Sequence, residues 1–140
     1  MISMMISESK CWIDARIAWT LKEQIRHASR EHHVLDHSAE LFYILDGAFD
    51  LLVSDSVVTA RTGDLLVVPP GTAHAFAAHH DSTAEALIIA TPGIERFDYF
   101  RHVVRRREGS EPAEVLLGLQ DRFDTHFLDS PAWQRARSAA

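Results

Sequence analysis

Between Leu41 and Ala90 the apolar residues come in short runs, each closed within a few positions by turn-forming residues. Leu41 to Leu45 is a compact aromatic and branched run ended by Asp46-Gly47, a hairpin signal. Phe49 to Val53 resumes as a strand, and Ser54-Asp55-Ser56 turns into Val57-Val58-Thr59. Gly63-Asp64 opens Leu65 to Val68, which Pro69-Pro70-Gly71 closes; His74 to Ala78 and Ala86 to Ala90 are two further strand candidates. Parallel strands need long crossovers, for which these connections leave no room. The pattern predicts an antiparallel sandwich or barrel from about Trp12 to about residue 92.

After Thr91-Pro92-Gly93 the apolar period lengthens. Ile94, Phe97, Phe100, Val103 and Val104 recur at helical spacing. A second helix is expected to start near Pro112, with Val115, Leu116, Leu119, Phe123 and Phe127 as its apolar stripe. Residues 131–137 are a third, short candidate. Helices of this length are not stable alone, so residues 93–140 are expected to pack on the barrel, across one mouth. Nothing marks a linker or a repeat, and the 140 residues are expected to form one domain.

Charge and composition narrow the function. A formal net charge of −6 offers no field for nucleic acid or anionic lipid, and Arg105-Arg106-Arg107 is too short a basic run to reverse that. Cys11 is the single cysteine, so no internal disulfide is possible. No stretch approaches the ~20 apolar residues of a membrane span or the core of a signal peptide. A cytoplasmic protein with no nucleic-acid or membrane partner is expected.

Nine histidines are many for this length, and they concentrate between His27 and His80. Two stretches combine them with turn residues. In the first, His33 is followed by His37, Glu40 and, after six intervening residues, Gly47. In the second, Gly63 is followed by Pro69, Gly71 and His74. Imidazole and carboxylate suit Fe, Mn, Ni, Zn or Cu, provided that several strands bring them to one point. The glycines and prolines supply the tight turns that aim those strands.

These two stretches resemble the paired motifs of the cupin superfamily. The family's second motif is Gly, five residues, Pro-x-Gly, two residues, His, three residues, Asn; here Gly63, Pro69, Gly71 and His74 match, and Ala78 replaces the Asn. Its first motif has His-x-His, three or four residues, Glu, six residues, Gly; His33, Glu40 and Gly47 match, and Leu35 takes the place of the second histidine. The tail from Thr91 to Phe97 is similar to the ends of small single-domain bacterial cupins. The resemblance implies a mainly β fold, the cupin double-stranded β-helix or jelly-roll barrel with C-terminal helices packed on it. It also implies a catalytic and metal-binding set of His33, Glu40 and His74, which His37 joins if the connecting turn swings it in.

Strand alternation from these residues nominates Leu35, Tyr43, Phe49, Leu66 and Phe76 as the substrate-binding wall. Leu35 makes that wall more apolar than a histidine would. His79 and His80 are expected at the surface, as are His27, His102 and His126. The leading expectation is a metal-dependent enzyme acting on a small organic substrate by oxygenase-like or Lewis-acid chemistry, such as a dioxygenase. The alternative is a metal-free isomerase or cyclase, for example on a polyketide-like substrate, in which His and Glu move protons. A non-catalytic ligand-binding module is the third. Barrel edges and family habit point to a homodimer.

Overall fold

The computed structural model describes residues 3–5, 17–23, 32–93 and 96–138. Within them lie nine strands: β1 (Ser3–Met5), β2 (Ile17–Glu23), β3 (His32–Val34), β4 (Ala39–Val53), β5 (Ser56–Arg61), β6 (Leu65–Val68), β7 (His74–Ala78), β8 (Ala84–Thr91) and β9 (His126–Leu128). Four helices accompany them: α1 (Phe97–Arg107), α2 (Ala113–Leu117), α3 (Gln120–Phe123) and α4 (Pro131–Ser138). Every strand pair is antiparallel. One sheet runs β1-β2-β8-β4-β6 and the other β9-β3-β7-β4-β5, so β4 belongs to both. This is the antiparallel two-sheet barrel that the resemblance implied. The expected strand near Trp12 falls outside the described residues.

Strand β4 is 15 residues long, and the expected hairpin at Asp46-Gly47 does not form. The chain instead passes from one sheet to the other there. Pairing with β8 slips by one residue between Ile44 and Asp46, and Gly47 adopts a φ of +78°. A side chain at Gly47 would collide with the Thr83 carbonyl, so glycine serves close backbone approach and a bulge rather than a reversal. The slip also inverts the alternation. Glu40, Phe42 and Ile44 face inward before it; Phe49 and Leu51 face inward after it.

Inside, Phe42, Ile44, Phe49, Leu51, Val68, Ala78 and Ile88 form the barrel core, with Leu66, Phe76 and Phe100 packed against it. Outside the second sheet, α4 lays Trp133 over Leu52, Ala75 and Ala77, the small alanines leaving room for the indole. Pro131 opens α4, and the Ser130 hydroxyl accepts the Trp133 N–H at 3.1 Å as its cap. The outer face of the first sheet carries exposed Tyr43, Leu65 and Val67 instead.

The expected second helix is split. It stops at Leu117, resumes over Gln120–Phe123 and ends at Asp124, which is left-handed with φ +45°. Phe127, expected on that helix, lies in β9 opposite His33. The physical reason is the open edge of β3, whose backbone groups gain ladder partners from residues 126–128. Tyr99, Val103, Leu116 and Phe123 make the small core that joins α1, α2 and α3. Ile94 is outside the described residues.

Candidate active site

Three neighbouring strands each deliver one donor. His33 on β3 stands directly opposite His74 on β7, and Glu40 enters from the first half of β4. Their relative exposures are 7%, 1% and 5%, so all three are withdrawn from bulk water. Ligand-type atoms of the three lie within 4.8 Å of one another, a group that can hold a metal ion. The His33 and His74 rings are 4.4 Å apart, centroid to centroid.

The turn before β7 aims His74. Thr72 N–H bonds the Pro69 carbonyl at 3.3 Å, and Gly71 N–H bonds the Leu35 carbonyl at 2.7 Å, tying the turn to the end of β3. The Thr72 carbonyl then receives His74 Nδ1 at 2.9 Å. A carbonyl only accepts, so Nδ1 carries the hydrogen and Nε2 is the atom turned to the site. Nε2 lies 2.7 Å from Glu40 Oε2. Two acceptors do not sit at that distance without a proton or a cation between them. His33 Nε2 stands 3.6 Å from the same oxygen.

A fourth charged group completes the cluster. Arg96, just ahead of α1 and 4% exposed, brings Nη1 to 3.6 Å from Glu40 Oε1. Its remaining nitrogens are held by the end of α3 and the two residues after it: Nε by the Phe123 carbonyl at 3.3 Å, Nη2 by the Asp124 carbonyl at 3.3 Å and the Thr125 hydroxyl at 2.8 Å. Burial by itself raises the Glu40 pKa, but the histidines and Arg96 outweigh it and hold the carboxyl well below its usual range.

The other nominated residues divide. Phe76 stacks on Phe49 with centroids 5.5 Å apart, and Phe42 completes an aromatic trio 5.2 Å from Phe76. Phe42 also meets His74 at 6.1 Å, and His33 meets Phe76 at 6.3 Å. Leu66 packs against this core, and Leu35 is buried at the end of β3. Tyr43 does not line the interior; it is 41% exposed, because it alternates with Glu40 and Phe42 along β4. His37 does not join the three donors. Its side chain is 84% exposed, and its Nδ1 lies 3.1 Å from Asp124 Oδ1, a contact that raises its pKa. His79 is half-buried against Asp50 at 2.8 Å, and His80 is exposed.

Two residues of the site escaped the sequence. Phe42 had a signal, since it stands two positions from Glu40 on one strand face. Arg96 had none: it comes from the helical tail, and only the packing of α3 against the barrel brings it to Glu40.

Residues 23–90 match the family model for a cupin domain. No protein of curated function matches the chain. Among solved structures, it is similar to a Streptomyces PAC13 variant with uridine (20% identity, 58% of this chain and 64% of that chain, TM-score 0.47). It is also similar to a cupin protein from Bacteroides fragilis (19%, 52% and 62%, TM-score 0.49) and to KdgF from Halomonas sp. (17%, 53% and 68%, TM-score 0.43). The first two of these matches span just under two thirds of the solved chains. No described helix is long and apolar enough to cross a membrane.

Proposed function

From the premise that this chain is a cupin, we propose that it is an enzyme acting on a small organic molecule at His33, Glu40 and His74, with a divalent metal ion held by those three side chains. The observation that carries this is the pinned tautomer of His74. Its Nδ1 hydrogen goes to Thr72, so Nε2 faces Glu40 Oε2 and His33 Nε2 in a buried cluster. Two imidazoles and a carboxylate are the donor set of many non-haem iron sites and also suit Mn, Ni or Zn. When bound, such an ion supplies Lewis acidity toward a carbonyl or redox chemistry with dioxygen.

The chain's own residues do the rest. Phe42 and Phe76 offer an apolar wall beside the histidines, with Phe49 stacked on Phe76. Thr72 fixes the ring of His74, and Arg96 holds Glu40 ionised and turned toward the histidines. The test is the metal content of protein prepared without chelators, for wild type, His33→Ala and Glu40→Ala. Each variant is expected to retain less than about a tenth of the wild-type load. Equal loads in all three would reject a metal at these residues.

A second reading is favoured by the 2.7 Å contact itself. Glu40 and His74 are placed to share one proton, as an acid–base pair in a metal-free isomerase or cyclase needs. Activity that survives exhaustive chelation yet disappears in His74→Ala selects this chemistry over the first.

A further inference from the structure

The charges of the site do not balance. Glu40 is the one carboxylate in the cluster among the described residues, and it faces the Arg96 guanidinium on Oε1 and the His74 ring on Oε2. Because His74 Nδ1 donates to the Thr72 carbonyl, a proton or a metal cation occupies the Nε2–Oε2 contact. One negative charge therefore meets at least two positive ones, and His33 adds no negative charge in either of its forms. Asp124, the nearest further carboxylate on the segment that holds Arg96, is turned to the N–H groups of Asp36 and His37. A surplus of buried positive charge is costly until an anion enters.

Arg96 shows where that anion would sit. Nε and Nη2 are consumed by Phe123, Asp124 and Thr125, which fix the guanidinium in place. Its Nη1 meets Glu40 at 3.6 Å, beyond hydrogen-bond length, and no described residue accepts from it at shorter range. On the histidine side the cluster is bordered by Phe76, 6.3 Å from His33, and Phe42, 6.1 Å from His74. We propose that the site selects small organic anions, a carboxylate or enolate whose charged oxygen docks on Arg96 Nη1 while its apolar body lies against Phe76. This rests on His33, Glu40 and His74 being the ligand site, and it holds whether a proton or a metal ion bridges Glu40 and His74.

Benzoate and benzamide, matched in shape and differing in charge, are the probes, titrated by NMR into the full-length chain. Wild type is expected to bind benzoate at least about tenfold more tightly, as a charge-assisted contact to a fixed guanidinium requires. Arg96→Gln should bring the ratio near one, and Arg96→Lys should restore part of it. Should Arg96→Gln fail to fold, the wild-type ratio decides alone. Equal affinities, including no binding of either probe, overturn the inference. His74→Ala separates this from the reading beneath it. Binding that His74→Ala abolishes, but without preference for the carboxylate, defeats the anion proposal and leaves the site standing. Benzoate binding that His74→Ala leaves untouched removes both.

Discussion

Two clusters in this protein offer similar donors: His33, Glu40 and His74 in one, Asp36, Asp124 and His126 in the other. Their partners differ. Glu40 meets only side chains, all buried, and each contact bears on its charge. Asp124 is occupied by backbone, accepting the N–H of Asp36 at 2.8 Å and of His37 at 3.1 Å, with the His37 ring added from the solvent side. Asp36, its second carboxylate, is exposed. A carboxylate whose acceptors are spent on main-chain donors is a brace for the loop between β3 and β4. One whose contacts are all ionisable side chains stays available for chemistry. Arg96 joins the two, reaching Glu40 with Nη1 and the Asp124 carbonyl with Nη2.

The contrast breaks most readily at Glu40. Glu40→Gln preserves shape but strips Arg96 and the histidines of their counter-charge, and removing one partner from a buried pair costs about 3–5 kcal/mol. Urea unfolding of the variant should show that loss, together with loss of metal or ligand binding; a loss of stability with binding unchanged would put Glu40 in the same class as Asp124. Asp124→Ala comes next. It leaves two backbone donors without their acceptor, a cost of about 1–3 kcal/mol, while metal load and benzoate affinity change less than about twofold. A metal load that falls with Asp124 would make the brace part of the site.

The pH dependence sharpens the difference further. The bond to Asp124 raises the His37 pKa above its ordinary 6.5, so its contribution is complete below that value and is lost as pH rises through the folded pKa. For Asp124, burial raises the pKa, but His37 and the two N–H groups prevail and lower it beneath the ordinary 3.8. Its share persists above 3.8 and disappears as pH falls through the lowered value. Wild type and His37→Ala should therefore differ more in urea midpoint at pH 5 than at pH 8, and a constant gap would deny the pair. The smallest effect is expected outside the barrel. Tyr43→Ser on the exposed face of β4 should alter stability by no more than about 0.5 kcal/mol and leave ligand binding unchanged.

Much of the barrel was legible because a turn is local chemistry. Pro69-Pro70-Gly71 closes β6, and the Thr72 carbonyl two positions before His74 orients its ring; the Ser54-Asp55 turn joins β4 to β5 as locally. Asp46-Gly47 misled for a matching reason. The same glycine conformation serves a reversal or a bulge, and the Thr83 carbonyl across the sheet makes the choice. Tyr43 faces outward because alternation from Glu40 runs in steps of two, whereas Phe49 faces inward only because the bulge inverts the count.

The sequence alone determined the antiparallel character of the chain, the strand that His74 opens behind its Pro69-Pro70-Gly71 turn, and the helical nature of the segments that begin at Phe97 and Pro131. Spacing and turn residues act within a few positions, and that is the range over which a sequence can be read. Tertiary structure decided which donors meet. It withdrew His37 to Asp124, drew residues 126–128 out of a helix to close the edge of β3, and set Arg96 against Glu40 across more than 50 positions of sequence. Those outcomes depend on unsatisfied edges and buried charges finding partners, and both exist only once the barrel has closed.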